Sequence, residues 1–379
     1  MVKPAGALPE RAFWHGRRVL LTGHTGFKGS WLALWLLQLG AEVTGLSLPP
    51  EGNPNLFTQL GLSGSERVPG TGSGSLNHRC GNLNEPGLLR ELVEQCQPDV
   101  VFHLAAQSLV RRGYRDPLLT WQTNVNGTVQ LLEALRQYCR PCAAVLVTTD
   151  KVYENRTSAS GFREDDPLGG HDPYSSSKAA MELAVASWRS SFCGHAPHQN
   201  PVLKLATARA GNVIGGGDWA EERIVPDTIR ALQAQTSVVV RQPWAIRPWQ
   251  HVLEPLTGYL LLAEQLWTCS PPQNAFNFGP PADNSASVAE LVQQILRHWP
   301  GQWQARPDPQ APAESHELRL NADLAKQTLG WTPRWGFEQA VARSVGWYRA
   351  VNEGSSALDC CLADLTSYQH SGETRAIAS

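Results

Sequence analysis

The feature that most constrains the fold is a glycine-rich loop between a short apolar strand and an apolar helix. Arg18 to Leu21 is a predicted strand, and Gly29 to Gln38 has apolar residues at helical spacing. Between them runs Thr-Gly-His-Thr-Gly-Phe-Lys-Gly, from Thr22 to Gly29. Such glycines let backbone amides approach a pyrophosphate, and the helix N-terminus stabilises its negative charge. The loop therefore predicts a dinucleotide site; the simpler alternative is a tight strand–helix turn.

Strands and helices continue to alternate beyond this unit, which predicts an α/β fold with a doubly wound parallel sheet. The further predicted strands are Glu42 to Leu48, Asp99 to His103, Ala143 to Thr148 and Val202 to Ala208. The predicted helices are Glu85 to Cys96, Pro117 to Tyr138, Tyr174 to Phe192, Val288 to His298 and Phe337 to Val351. The Gly-, Ser- and Pro-rich segment from Pro49 to Arg79 is predicted to be a flexible surface excursion.

After Arg209 the alternation loosens, which predicts a smaller mixed α/β cap. We expect residues 13–208 to form the dinucleotide-binding domain and residues 209–351 mainly a substrate-binding domain, with some segments returning to the sheet. Residues 352–379 are polar or small and are predicted to be a loosely held tail.

Composition excludes several classes of function. A net charge of −2 gives no basic field, so we expect no nucleic-acid partner. The most apolar run, Trp31 to Leu39, is about half the ~20 residues that cross a bilayer, so we expect no membrane partner and a cytoplasmic location. Eight cysteines in a chain of 379 residues indicate free thiols rather than a disulfide framework. Cys139 and Cys142 form a CxxC without a second ligand pair, so no metal site is predicted.

Tyr174 and Lys178 are four residues apart on a predicted helix and therefore share one face. The chain has six lysines, and three of them (Lys28, Lys151 and Lys178) fall in candidate motifs. An ammonium ~4 Å from the phenol favours phenolate by ~4 kcal/mol, or ~3 pK units, which would place a base near pH 7. Thr149 can hydrogen-bond the same hydroxyl. The alternative is an ordinary half-buried tyrosine beside a solvated lysine.

These motifs resemble the extended short-chain dehydrogenase/reductase family, whose fold is of the Rossmann type. The resemblance rests on the GxxGxxG loop, on Asn-Val-Asn-Gly-Thr from Asn124 to Thr128, and on Tyr-x-x-x-Lys. Within that family, Thr-Thr-Asp-Lys from Thr148 to Lys151 is similar to the CDP-glucose branch of the nucleotide-sugar 4,6-dehydratases. Further matches begin at Phe13 and continue to Tyr348, and they include Arg-Ala-Gly-Asn-Val-Ile-Gly-Gly-Gly-Asp-Trp, Arg-Ile-Val-Pro-Asp and Ile-Arg-Pro-Trp-Gln-His-Val.

The resemblance implies CDP-glucose as substrate and NAD as cofactor, although the residues at the end of the second strand do not by themselves choose NAD over NADP. It implies catalytic roles for Thr149, Asp150, Lys151, Tyr174 and Lys178. It implies cofactor contacts at Gly23, Thr25, Gly26, Phe27, Lys28, Gly29, Asn82, Leu83, Leu104, Ala105, Ala106 and Thr123, together with Tyr174 and Lys178. The implied substrate contacts are Gln107, Asn212, Arg223, Arg247 and His251.

In the implied cycle, Tyr174 is the base at the sugar 4-hydroxyl, Lys151 the base at C5, and Asp150 the acid for the departing C6 hydroxyl. Adjacent strand residues point to opposite faces, so both Asp150 and Lys151 can reach one sugar only if the strand ends there. An ordinary Asp–Lys ion pair is the alternative. Asn82 stands where relatives carry an aspartate that binds adenine, so we expect weaker cofactor binding.

Two other functions stay open on the sequence. A nucleotide-sugar 4-epimerase would make Asp150 and Lys151 incidental, and an inactive NAD-binding sensor would not need the Tyr174 and Lys178 pair that is present. In relatives the two long helices form a dimer-making bundle, so the resemblance implies a homodimer through Pro117 to Tyr138 and Tyr174 to Phe192.

Overall fold

The chain forms a seven-stranded parallel sheet with helices on both faces. The computed structural model describes residues 3–64, 72–154, 161–269, 273–281, 284–307 and 319–371. The strands of the sheet, with their bounds, are β1 (Arg18–Thr22), β2 (Glu42–Ser47), β3 (Ser75–Cys80), β4 (Val100–His103), β5 (Cys142–Val147), β6 (Leu203–Ala210) and β11 (Ala275–Phe278). Their spatial order is β11-β6-β5-β4-β1-β2-β3, and every neighbouring pair is parallel. The predicted doubly wound sheet is confirmed.

The other strands form three small two-stranded ladders. They are β7 (Val213–Ile214), β8 (Val238–Val240), β9 (Ile246–Pro248), β10 (Gln250–His251), β12 (Ser285–Ser287) and β13 (Trp303–Ala305). The α-helices of the described ranges are α1 (Arg11–Trp14), α2 (Phe27–Leu39), α3 (Leu56–Gln59), α4 (Leu88–Cys96), α5 (Val110–Arg115), α6 (Pro117–Trp121), α7 (Gly127–Arg136), α8 (Pro173–Phe192), α9 (Ile224–Gln233), α10 (Leu253–Thr268), α11 (Val288–His298), α12 (Asp323–Leu329), α13 (Phe337–Asn352) and α14 (Ala357–His370).

Alternation along the strands divides the apolar side chains between two cores. In β1, Val19 and Leu21 join the larger core with Trp31 and Trp35 of α2, whereas Leu20 joins the core on the opposite face. Because both faces are covered, strands such as β5 are buried along their whole length, as their continuous apolar runs predicted.

A π-helical turn, Gln122–Asn126, joins α6 to α7. The predicted helix from Pro117 to Tyr138 is therefore present as three consecutive helical pieces rather than one regular α-helix. Such turns hold one more residue than an α-helical turn and often occur at functional sites. Here the turn brings the side chain of Asn124 into the interior, where it is fully buried.

Two sequence-based expectations were wrong. The segment predicted to be a flexible excursion contains the edge strand β3 and helix α3, whose Leu56 and Phe57 are buried, although residues 65–71 of it lie outside the described ranges. The predicted loose tail contains α14, whose Leu365 and Tyr368 are buried against the rest of the protein. Residues 372–379 lie outside the described part of the chain.

The predicted division into domains stays a prediction. Strand β11 comes from the C-terminal part and pairs with β6, so a C-terminal segment does return to the sheet.

Candidate active site

A cleft opens at the carboxyl ends of the parallel strands, with a volume of about 1520 Å³. The strand order reverses between β1 and β4, and open α/β sheets bind ligands outside such a switch point. All five predicted catalytic residues and all the predicted cofactor residues line this cleft. Of the predicted substrate residues, it is lined by Gln107, Asn212, Arg223 and Arg247.

The glycine loop packs so closely that side chains would not fit. A Cβ at Gly23, where φ is +78°, would lie 2.6 Å from the backbone nitrogen of Ala105. A Cβ at Gly29 would lie 2.1 Å from the Gly23 carbonyl oxygen. Helix α2 begins directly after Gly26, so its first amides face the cleft end of the loop. This cradle of backbone donors without side chains suits a pyrophosphate, which is the group that NAD would place there.

Thr25 and Asn82 lie at the rim of the cleft beside the ends of β2 and β3. The Thr25 hydroxyl donates to the Leu48 carbonyl (3.0 Å) and lies 2.7 Å from the Ser47 hydroxyl. The Asn82 side-chain oxygen accepts a hydrogen bond from the Asn84 amide at 3.0 Å. Asn82 therefore shapes its own turn while its oxygen keeps capacity for a second donor.

The chain turns sharply after β5. The strand ends at Val147, Thr149 is extended, and Asp150–Val152 forms a single 3₁₀ turn. The Thr149 hydroxyl donates to Asp150 Oδ1 at 2.9 Å, and Lys151 Nζ lies 3.9 Å from the same oxygen. Because the strand has ended, Asp150 and Lys151 can both line the cleft. The strand therefore ends where it must if both side chains are to reach one sugar.

Asp150 is almost fully buried, and its Oδ2 has no hydrogen-bond partner among the described residues. A Cβ on Gly211 would come within 3.1 Å of that oxygen. One carboxylate oxygen is therefore held by Thr149 while the other remains available inside the cleft.

Tyr174 and Lys178 lie on the first two turns of α8. Asp172 caps the helix by accepting from the Tyr174 and Ser175 amides, both at 2.9 Å, which fixes the position of Tyr174. Lys178 Nζ donates at 3.1 Å to the carbonyl of Val147, the last residue of β5. The residues that follow, Thr148 to Lys151, are called the catalytic turn. Both side chains are buried.

The expected ionisation of Tyr174 was wrong for the protein alone. Burial raises the pKa of Tyr174 to about 12, against a lowering effect of its hydrogen bond with Thr149 and of the Arg223 charge. Burial, together with the charge of the neighbouring Lys28, lowers the pKa of Lys178 to about 7, against a raising effect of Glu182. The spacing of the two residues predicted a phenolate stabilised by a charged lysine, but it took no account of burial. Burial disfavours the charged form of both groups and therefore opposes that ion pair.

Arginines line the far end of the cleft. Arg223 forms an ion pair with Asp218 at 3.0 Å and donates to the Ser108 hydroxyl at 3.1 Å. Arg247 lies buried in β9, and its Nη1 donates to the Ile246 carbonyl at 2.9 Å. Asn212 follows β6 and also lines the cleft. These groups could hold an anionic substrate at the end opposite the adenosine side.

Two predicted substrate residues have other contacts. Gln107 lines the cleft, but its side chain donates to the Leu109 carbonyl (3.1 Å) and the Thr120 hydroxyl (2.8 Å) and accepts from the Leu109 amide (2.7 Å). His251 does not line the cleft. Its ring is fully buried, with Trp31 and Trp335 packed against it at centroid distances of 6.0 and 4.8 Å. We therefore remove His251 from the candidate substrate contacts, because no face of the ring is open to a ligand.

Sequence reasoning missed the positioning role of Asn124. Its side-chain oxygen accepts from the Gln107 amide, and its nitrogen donates to the Gln107 carbonyl and the Ser177 hydroxyl. These bonds join the loop after β4 to helix α8. The Asn-Val-Asn-Gly-Thr segment was a usable signal, but it gave no indication of the π turn that aims Asn124 inward.

The structure also bears on metals, thiols and membranes. Within the described ranges, no cluster of three or more His, Cys, Asp or Glu side chains could hold a metal ion. All eight cysteines are free thiols, as predicted. No helix in the described ranges has both the length and the apolar character needed to cross a membrane.

Comparison with known proteins identifies the family. A model of the GDP-mannose 4,6-dehydratase family matches residues 20–344. The chain belongs to that family. It is 40% identical over 362 residues to a CDP-glucose 4,6-dehydratase from Salmonella typhimurium. The aligned region covers 95% of this chain and 98% of that protein. The predicted resemblance to the nucleotide-sugar dehydratases is confirmed.

More distant relatives have the same architecture. A dTDP-glucose 4,6-dehydratase from Xanthomonas campestris is 27% identical, with 87% of this chain and 92% of that protein covered. The solved structure of a dTDP-glucose 4,6-dehydratase from Streptomyces venezuelae, with NAD bound, superposes with a TM-score of 0.74 at 24% identity. That match covers 90% of this chain and 99% of the other and supports the Rossmann-type fold.

Proposed function

We propose that the protein is an NAD-dependent CDP-glucose 4,6-dehydratase that releases CDP-4-dehydro-6-deoxyglucose and water. The observation that carries the proposal is the placement of Asp150 and Lys151 beside Thr149 and Tyr174 in one cleft. An epimerase needs only the Tyr174 side of this arrangement. Nearly full-length similarity to a CDP-glucose 4,6-dehydratase supports the choice of substrate.

The reaction divides among the side chains of the catalytic turn and α8. NAD, which the loop from Gly23 to Gly29 would hold, would supply the hydride acceptor for sugar C4 and the hydride donor for C6. Tyr174, positioned by Thr149, takes the proton of the 4-hydroxyl, so that C4 becomes a ketone. The ketone acidifies the hydrogen on C5, and Lys151 removes it as a proton. Asp150 gives a proton to the departing C6 hydroxyl, which leaves as water.

Protons balance over the cycle. The proton that Tyr174 takes from O4 compensates for the proton that Asp150 gives to the leaving hydroxyl, and Lys151 returns a proton to C5. The sugar loses one water and undergoes no net oxidation. Thr149 contacts both sides of this chemistry, since it donates to Asp150 and hydrogen-bonds Tyr174.

Product analysis tests the proposal. The protein is incubated with NAD and, separately, with CDP-glucose, dTDP-glucose and GDP-mannose, using sugars deuterated at C4. We expect a 4-keto-6-deoxy product from CDP-glucose with deuterium at C6. An epimer that keeps its 6-hydroxyl would favour the epimerase, and NAD binding without any product would favour an inactive sensor.

A variant at Lys151 separates the two halves of the reaction. Lys151→Ala should still oxidise C4, which is seen as NADH absorbance, but should not lose the C6 hydroxyl. General acid–base groups contribute about 10²- to 10⁴-fold, so elimination should fall by that factor. Normal product formation by the variant would remove Lys151 from the mechanism.

We also propose a homodimer formed through α6 and α8. Three large apolar side chains on these helices are exposed, namely Leu118 (68%), Trp121 (41%) and Leu183 (61%). Burial of such side chains against a second copy would be favourable. Leu118→Glu together with Leu183→Glu should halve the mass measured by light scattering, whereas Trp244→Ser, at an exposed tryptophan elsewhere, should not. A wild-type mass equal to one chain would contradict the proposal.

The cytoplasmic location and the absence of nucleic-acid or membrane partners stay predictions from the sequence.

A further inference from the structure

A third residue continues the catalytic face of α8. Glu182 follows Tyr174 and Lys178 at the same four-residue spacing, and its carboxylate is buried. It accepts hydrogen bonds from the hydroxyls of Thr148 (2.5 Å) and Thr207 (2.7 Å). Arg209 adds two more, from Nε at 2.9 Å and Nη2 at 2.8 Å. Four donors therefore fix one carboxylate directly behind the site.

Lys178 and Glu182 bind two adjacent residues at the junction between β5 and the catalytic turn. Lys178 donates to the carbonyl of Val147, and Glu182 accepts from the hydroxyl of Thr148. The next residue is Thr149, which contacts Asp150. The start of the turn is thus attached to α8 at two consecutive residues, one through a cation and one through an anion.

The charges that face Lys178 come from several elements. Lys28 of α2 opposes its positive charge, and Glu182 of α8 favours it. His103 of β4 is buried nearby, and the Lys178 charge adds to the burial that holds the pKa of His103 well below its usual value. Glu182 raises the pKa of Lys178 against these effects, and the Arg209 guanidinium of β6 is bound to the other side of the same carboxylate.

Glu182 itself stays ionised in this environment. Burial alone would raise the pKa of its carboxyl, but Arg209 and the two threonine hydroxyls hold that pKa below its ordinary value. Arg189, two helical turns further along α8, also interacts electrostatically with Glu182. A buried carboxylate with this support is a permanent negative charge near Lys178.

We propose that Glu182 is a positioning residue of this reaction, which anchors the turn before Thr149 and keeps Lys178 positively charged behind Tyr174. The inference rests on the proposed function for its kinetic consequence. Its electrostatic consequence for Lys178 can be measured without substrate. A residue that only stabilised the fold would affect neither the titration of Lys178 nor the pH profile.

The direct test is the titration of Lys178 by NMR. The chain has only six lysines, so ¹³Cε-lysine labelling gives few signals, and a Lys178→Met variant assigns the relevant one. A charge about 6 Å away at an effective dielectric near 20 shifts a titration by about two pH units. Glu182→Gln should therefore move the Lys178 midpoint downward by about one to two units. An unmoved midpoint would overturn the proposal.

The kinetic test uses CDP-glucose and NAD. Because a charged Lys178 favours the deprotonated form of Tyr174, activity should fall as pH rises through the titration of Lys178. Glu182→Gln should move this alkaline limb of kcat to lower pH with little change in KM. If wild-type protein makes no product, the proposed function fails while the NMR test still stands. If wild-type protein turns over and the limb does not move, the role of Glu182 fails.

A double variant guards against loss of folding. Glu182→Gln leaves Arg209 buried without its partner, which is destabilising, whereas removing both charges of a buried pair is often tolerated. Glu182→Gln with Arg209→Met should fold, and because it also removes the Arg209 cation, its Lys178 midpoint should lie between those of Glu182→Gln and the wild type. A double-variant midpoint below that of Glu182→Gln would contradict the charges assigned to this pair, and an unmoved midpoint in both variants would show a purely structural role.

Discussion

Replacing Gly211 by alanine tests whether the placement of Asp150 controls the elimination step. The added Cβ would lie 3.1 Å from Asp150 Oδ2 and 3.0 Å from Cγ of Pro248, and ordinary contact begins near 3.4 Å. The φ of Gly211 lies outside the left-handed region, so alanine introduces crowding rather than backbone strain. The carboxyl should therefore retreat by about 0.3 Å, because it is freer to move than the proline ring.

The expected loss is modest but measurable. A misplacement of about 1 Å in an active site can cost about 10²-fold in rate, so 0.3 Å corresponds to about fourfold if the effect scales logarithmically. Single-turnover measurements with CDP-glucose should show this loss in formation of the 6-deoxy product, while the preceding NADH signal and the Kd for NAD change little.

Gly346→Ala is the matched control. Gly346 lies inside α13, and a Cβ there would meet nothing within 4 Å. Alanine at this helical position should stabilise the protein by about 0.5–1 kcal/mol without changing the rate. An unchanged elimination rate in Gly211→Ala, or an equal loss in C4 oxidation and elimination, would refute the role assigned to the position of Asp150.

Three further predictions follow from side chains of the cleft and the C-terminal helix. Tyr174→Phe should lower kcat by about 10²- to 10⁴-fold while CDP-glucose binding, measured by calorimetry, changes only slightly; a kcat near that of the wild type would exclude Tyr174 as the base. Asn82→Asp should tighten NAD binding by several-fold in the same assay, because a charged acceptor is stronger than an amide oxygen, and unchanged affinity would place adenine elsewhere. Burial raises the pKa of Asp364 to about 7, so its contribution to stability is full below about pH 4 and is lost as pH rises through 7. Chemical unfolding between pH 5 and pH 8 should show that wild-type protein loses about 2–3 kcal/mol more than Asp364→Asn, and parallel pH profiles would contradict this.

The sequence predicted the parts of the fold that bury continuous apolar runs. Strands β4 and β5 are buried along their whole length because both faces of the sheet are covered, and apart from His103 at the end of β4 their residues are apolar. Edge strand β3 could not be recognised in the same way, since its Ser-Leu-Asn-His-Arg-Cys sequence is mostly polar and no residue of it is fully buried. Helix α14 does carry buried residues at helical spacing, but its cysteines, aspartates and serine gave it the composition of a tail.

The residues of the site were easier to predict than their ionisation or their orientation. Motif spacing brought Thr149, Asp150, Lys151, Tyr174 and Lys178 to one cleft. The pKa of Tyr174 depends on how completely the phenol is desolvated, which four-residue spacing does not reveal. His251 lies in the short strand β10 and was chosen because it matched a motif. A motif match does not show that Trp335, which is distant in sequence, packs against the ring and helps to close it off from the cleft.

The π turn between α6 and α7 makes the number of residues in this part of the chain as important as their identity. An α-helix advances 100° per residue, so deleting one residue from Gln122–Asn126 would rotate the preceding helix by about that angle relative to α7. Asn124 could then no longer bridge Gln107 and Ser177 at the same time. In a relative that lacks one residue of this five-residue stretch, we expect the loop after β4 to lose its connection to α8, even where every polar residue is retained.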